Sequence, residues 1–268
     1  MTREARKRPL PGYVSLPFPA RRGNIHRVMS ANIQFPGSWP RRRVFAVLVA
    51  SAGIGLTAGL AAPAEALAAA RCPAAEALPR VSLETHPGKV IYNTLKNRRQ
   101  LQRLQGQTGA SSRRGWRPIG LTLTELEFRM NISVNTMARK GRGHCATVAG
   151  VKSSLGYDKI TIYIAKRYPK GSCQYLSVLA HENEHLAIFR DTLAVYGPRV
   201  ERRLTAAASA MKPVLAPTPA RAAAKIQKAL QREMEPLFKE MNRRLDTEND
   251  RIDTPLKYHG EQARCSTW

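Results

Sequence analysis

Two histidines four residues apart, with a glutamate directly after the first, stand in the segment VLAHENEHLAIFRD, residues 178–191. His181-Glu182-Asn183-Glu184-His185 is an H-E-x-x-H pattern. On an α-helix, positions i and i+4 differ by about 40° around the axis and one turn along it, so both imidazoles reach one divalent cation from the same face. Glu182 falls beside the cation's open position, where it can take a proton from an attacking water and pass it to a leaving amine. The flanks YLSVLA and LAIF are apolar, which puts the motif on a buried helix. Buried His and Glu need partners, and Zn²⁺ is the partner this spacing fits. A surface helix of the same residues would show a broad polar face, and too few polar residues are present for that.

A catalytic zinc takes three protein ligands. Asp191 follows His185 by six residues. If the helix continues through Ile188, Asp191 stands about 15 Å along the axis from His181 and on another face. Glu201 comes shortly after Gly197-Pro198, a turn signal. A helix returning from that turn would meet the metal near residues 209–213, beyond Glu201. The third ligand therefore stays open on spacing alone.

The elements that must position these residues lie in the C-terminal two thirds of the chain. Residues 41–43 are Arg-Arg-Arg, and no charge occurs from Val44 to Ala64. Two small-residue cleavage candidates follow, Ala64-Glu65-Ala66 and Ala68-Ala69-Ala70. A basic head, an apolar core and an A-x-A exit make a secretory signal, expected over 29–66 with Met29 as a start and Leu67 as the first mature residue. The stretch is long enough to span a bilayer, but its Gly, Ala and cleavage sites favour removal, leaving no stable membrane span. Arg42-Arg43-Val44-Phe45 loosely fits a twin-arginine core. Residues 1–28, with seven basic residues and four prolines, show no periodicity and read as unstructured or upstream of the true start. Export to the periplasm or beyond puts Cys72, Cys145, Cys173 and Cys265 in an oxidising compartment. The expected pairs are Cys145–Cys173 and Cys72–Cys265; no C-x-x-C spacing argues for a cysteine metal site.

Ten of the 44 Lys/Arg and two of the 19 Asp/Glu precede Leu67, leaving the rest at a net charge of +17. Such charge favours anionic partners, and for an exported chain that means a cell-envelope polymer. No nucleic-acid motif is present. Residues 67–268 read as one domain. Strands are expected at 89–94, at 119–134 with a bulge near Glu125, at 145–157 and at 159–168; a short helix is expected at 95–105. Helices follow at 173–196, 199–211 and 220–250, and the tail from Arg251 reads as irregular. Strands first and helices second give an α+β class, an antiparallel sheet with helices packed on one side.

The span from about Lys89 to Trp268 resembles the bacterial family of predicted secreted zinc-dependent proteases. The shared outline is a Tyr-bearing strand and short helix (VIYNTLKNRRQLQRL), a Trp-bearing loop and long strand (GWRPIGLTLTELEFRMNISV), a Cys-led strand pair, the HExxH helix, and a closing Asp…His-Gly segment, here IDTPLKYHGEQARCSTW. In the family a Tyr-Asp pair stands slightly closer to the His-Gly. The resemblance implies a zinc peptidase acting on a peptide or protein. With the elimination above, it points to His259 as the third ligand, and Tyr258 beside it is placed to stabilise an oxyanion. The competing expectation is a non-catalytic, basic envelope-binding protein that keeps the zinc helix for structure.

Overall fold

In the computed structural model the described residues are 72–107, 118–139 and 141–268, with a three-residue strand at Val14–Leu16. The expected signal peptide and the mature start at Leu67 lie outside them. Among the described residues five strands are formed: β1 (Val14–Leu16), β2 (Arg80–Asn93), β3 (Gly120–Arg139), β4 (Gly143–Ile164) and β5 (Val214–Ala216). Four helices accompany them: α1 (Arg98–Gln107), α2 (Cys173–Ser209), α3 (Pro219–Ile252) and α4 (Pro255–Gln262). The class is α+β, as expected. Among the described residues no helix is long and apolar enough to cross a membrane.

The sheet is mixed rather than wholly antiparallel. Its order is β1-β3-β4-β2, with β5 also on β4. β3 and β4 form a long antiparallel hairpin, while β2 runs parallel to β4 from Arg80↔Gly150 to Asn93↔Tyr163. Gly141 and Gly143, at φ 69° and 94°, make the hairpin's turn in a backbone region that disfavours side chains. The register slips between Thr124 and Leu126, which puts the bulge at Glu125. Beyond it β3 runs on to Arg139, because Met130, Ile132 and Val134 keep burying alternate side chains.

Three other expectations are corrected. β4 is one strand across Asp158, not two. Gly197-Pro198 does not end α2, which continues to Ser209. A proline inside a helix costs about 3 kcal/mol, yet Phe189, Leu193, Tyr196, Val200, Leu204 and Ala208 form an unbroken buried stripe across the pair. Burying such side chains is worth about 1.5–3 kcal/mol each, which outweighs the break. Gly197 itself lies against β2: a Cβ there would stand 3.0 Å from Thr85 Cγ2. Finally, the tail is not irregular. Thr254 caps α4, accepting from the Lys257 N–H at 3.2 Å, and Pro255 takes the first helical position.

The main core lies between the sheet and helices α2 and α3, with Ile226, Leu230, Met234, Phe238, Met241 and Leu245 as the α3 stripe. A second, smaller core gathers Leu101 of α1, Leu121 of β3, Ile164 of β4, and Tyr175 and Val178 of α2, with Trp268 packed against it. It fixes the first turns of α2 against the end of the sheet.

The disulfides are Cys72–Cys145 and Cys173–Cys265, not the pairs expected. The continuous β4 explains the difference. Cys145 opens that strand and Cys173 follows its far end, roughly 60 Å away at about 3.3 Å per residue. A turn at Asp158 would have brought them together; no such turn exists. Non-reducing peptide mapping should find the two observed links. Replacing Cys173 and Cys265 together with serine should lower unfolding free energy by about 4–5 kcal/mol for a loop of this length, read from urea denaturation.

Candidate metal centre

Ser172 caps α2, its hydroxyl accepting from the Tyr175 N–H at 3.2 Å. Two turns later the helix carries His181, Glu182 and His185, which are 3 %, 1 % and 1 % exposed. Glu182 faces β3. Its Oε2 accepts from the Thr122 hydroxyl at 2.7 Å, and it lies so close to the strand that a Cβ on Gly120 would stand 2.3 Å from its Oε1. Gly120 is therefore required by approach, since any side chain there would displace the carboxylate.

The two imidazoles point to Asp253, which ends α3, its N–H donating to Asn249 O at 3.1 Å. His181 Nε2 is 3.2 Å and His185 Nε2 is 3.3 Å from Asp253 Oδ1. Among the described residues these three form a group whose donor atoms lie within 4.8 Å of one another. A tetrahedral zinc with bonds of about 2.0–2.1 Å separates its donors by about 3.3 Å, so the spacing fits the ion.

The outer ring nitrogens are committed elsewhere. His185 Nδ1 lies 2.6 Å from Asn249 Oδ1, and Asn249 Nδ2 donates to Leu245 O at 2.7 Å. That second bond orients the amide, so its oxygen must accept and His185 Nδ1 must carry hydrogen. His181 Nδ1 lies 3.1 Å from the buried Glu261 carboxylate, another acceptor. Both rings thus turn Nε2 inward, the arrangement that outer partners impose on metal-binding histidines. His185 Nε2 is buried and makes no hydrogen bond; Asp253 is near enough for its charge to act but does not satisfy the nitrogen.

Electrostatics favour a cation here. Burial opposes charge on His181, but its hydrogen bond to Asp253 and the charges of Glu182 and Glu261 outweigh it, pushing the pKa up to about 9. His185 is raised too: burial works against it, and Asp253 and Glu182 prevail. Burial also opposes charge on Asp253, yet its two histidines hold the carboxyl well below the usual range. Glu182 is raised by burial despite the nearby imidazoles. The residues present suit Zn²⁺ in donor type, spacing and charge.

Of the residues singled out from sequence, His181, Glu182, His185 and Tyr258 come together. Tyr258 donates to Asp253 Oδ1 at 2.7 Å. His259 does not join them: on α4 it stands about 100° round from Tyr258 and is exposed. Asp253 takes the third position instead. Asp191 is exposed on α2, and Glu201 accepts from the Leu83 N–H at 3.4 Å, away from the group. Sequence reading missed Asn249 and Glu261. Asn249 continues the α3 stripe four residues after Leu245, where a polar residue signals a buried partner. Glu261 follows Tyr258 by three, on the same face of a helix that the Thr254-Pro255 start announces. Comparison with protein-family models, curated proteins and solved structures found no match for this chain.

Two outcomes are expected. Asn249→Leu should keep the fold and lower zinc affinity by about 10–100-fold in a chelator competition titration. Protons compete for the imidazoles, so apparent zinc affinity should rise as pH goes from neutral towards 9, where His181 loses its proton.

Proposed function

We propose that this chain is an exported zinc-dependent peptidase that hydrolyses peptide bonds with Glu182 as general base. The observation that carries this reading is the inward pair of His181 and His185 Nε2 atoms facing Asp253 Oδ1, with Glu182 buried beside them on the next helical position. A bound zinc would supply Lewis acidity and an acidified water at this place. The protein's own residues do the rest. Asn249 and Glu261 keep the two rings in the ligating orientation. Thr122 and Gly120 hold the Glu182 carboxylate in a fixed position, where it accepts a proton from the attacking water and returns it to the leaving amine. Tyr258 presents a hydroxyl to the same centre.

A structural zinc helix on an envelope-binding protein would need no acid beside the ligands. Here Glu182 is buried at 1 % exposure, which costs free energy and asks for a function. The two disulfides fit an oxidising compartment such as the periplasm or the medium. The resemblance to predicted secreted zinc-dependent proteases points the same way. The substrate class is peptide or protein, and the net positive charge of the chain adds attraction to an anionic envelope polymer.

Glu182→Gln decides between the two. It should fold, keep zinc, and lose about 10²–10⁴-fold in hydrolysis of a mixed peptide library. Wild-type protein with one bound zinc and no chelator-sensitive hydrolysis would favour the envelope-binding reading instead.

A further inference from the structure

Tyr258 stands closer to the metal centre than a residue that only steadies substrate would. Its Oη is 3.2 Å from His181 Nε2 and 2.7 Å from Asp253 Oδ1. The first distance equals the 3.2 Å between His181 Nε2 and Asp253 Oδ1, two of the candidate ligand atoms themselves. Donors around one tetrahedral zinc are separated by about 3.3 Å, so the phenol oxygen stands at donor spacing from His181 Nε2, while its 2.7 Å to Asp253 Oδ1 is the length of the hydrogen bond it now donates. An oxygen meant to meet a developing oxyanion belongs one contact further out, about 3 Å beyond the substrate oxygen. The ring is held in place: it tilts against the His181 ring at 4.8 Å between centroids. α4, which carries it, is tied to α2 by the Cys173–Cys265 disulfide and by Ser177, whose hydroxyl donates to Glu261 O at 3.3 Å.

We infer that Tyr258 is the fourth protein donor of the centre, joining His181, His185 and Asp253, so that the resting centre is closed by protein atoms. This rests on the metal reading given above. The phenol proton now lies in the hydrogen bond to Asp253; when the oxygen ligates, that proton leaves to solvent, as ligand protons do on metal binding. Closure agrees with the burial of His181, Glu182 and His185. Catalytic zinc sites keep one position for water or substrate, and in this centre that position belongs to Tyr258 until the side chain gives way.

Copper(II) is the probe. The protein, purified with both disulfides formed and stripped of metal, is titrated with Cu²⁺ and followed by visible absorption. One equivalent should bind and give an intense phenolate-to-copper charge-transfer band. Tyr258→Phe should bind copper with that band lost and only weak ligand-field absorption left. Tyr196→Phe, whose hydroxyl bonds Glu240 outside the centre, should keep the band. Resonance Raman on wild type, excited in the band, should show tyrosinate ring modes, which decides the matter even if Tyr258→Phe misfolds. Copper that needs His181 but gives no such band, or a band that survives Tyr258→Phe, overturns the assignment of Tyr258 alone. Copper binding unchanged in His181→Ala overturns the metal reading beneath it.

Discussion

Two imidazoles and three carboxyl groups meet in a space from which water is nearly excluded. Asp253 faces His181 Nε2, Glu261 faces its Nδ1, and the charge of Glu182 acts on the same ring. Negative charge gathered in such surroundings is tolerated only when positive charge accompanies it. Everything nearby serves that balance. The rings are turned by Asn249 and Glu261 so that their inner nitrogens face one point, and Asp253 faces the same point from the end of α3. A divalent cation there would offset most of that negative charge.

Three separate stretches of chain supply this arrangement, and the fold brings them together through packing unrelated to the chemistry. The small core of Leu101, Leu121, Ile164, Tyr175 and Val178 seats α2 against the end of the sheet. The main core presses α3 along α2, so that the stripe ending at Asn249 delivers Asp253 to His185. The short α4 then folds back across the start of α2. Its contacts there include the Tyr258 and Glu261 contacts with His181, the Ser177 hydrogen bond, the ion pair of Lys257 with Glu184, and the Cys173–Cys265 disulfide just beyond its end.

The parts of this that were legible in the sequence share a property. Each is a periodic or local signal. The HExxH helix, the α3 stripe and the bulge at Glu125 all show in residues within one or two turns or pleats of each other. What was not legible depends on distant packing. Gly197-Pro198 reads locally as a stop, and only the burial of Val200, Leu204 and Ala208 against other elements keeps α2 going. Asp158 reads as a turn, and only the pairing of its neighbours, Tyr157 and Lys159 with β2 and Tyr157 and Ile160 with β3, carries β4 through. With β4 unbroken, Cys145 and Cys173 stand at opposite ends of a long strand and pair with Cys72 and Cys265 instead. The third ligand was misjudged for a similar reason. A tail taken as irregular offers His259 as readily as Asp253, whereas a helix beginning at Thr254 puts His259 in solvent and Asp253 at a fixed corner.

The corner has a consequence for the order of events during synthesis. Asp253, Tyr258, Glu261 and Cys265 are all synthesised well after His181, Glu182 and His185. A nascent chain that has completed the sheet, α2 and most of α3 already carries His181, Glu182 and His185, but nothing that closes the cation's surroundings. The candidate metal centre is therefore assembled only once residues 253–261 have been made, and a chain cut short before Asp253 lacks one of the three groups that could hold the ion.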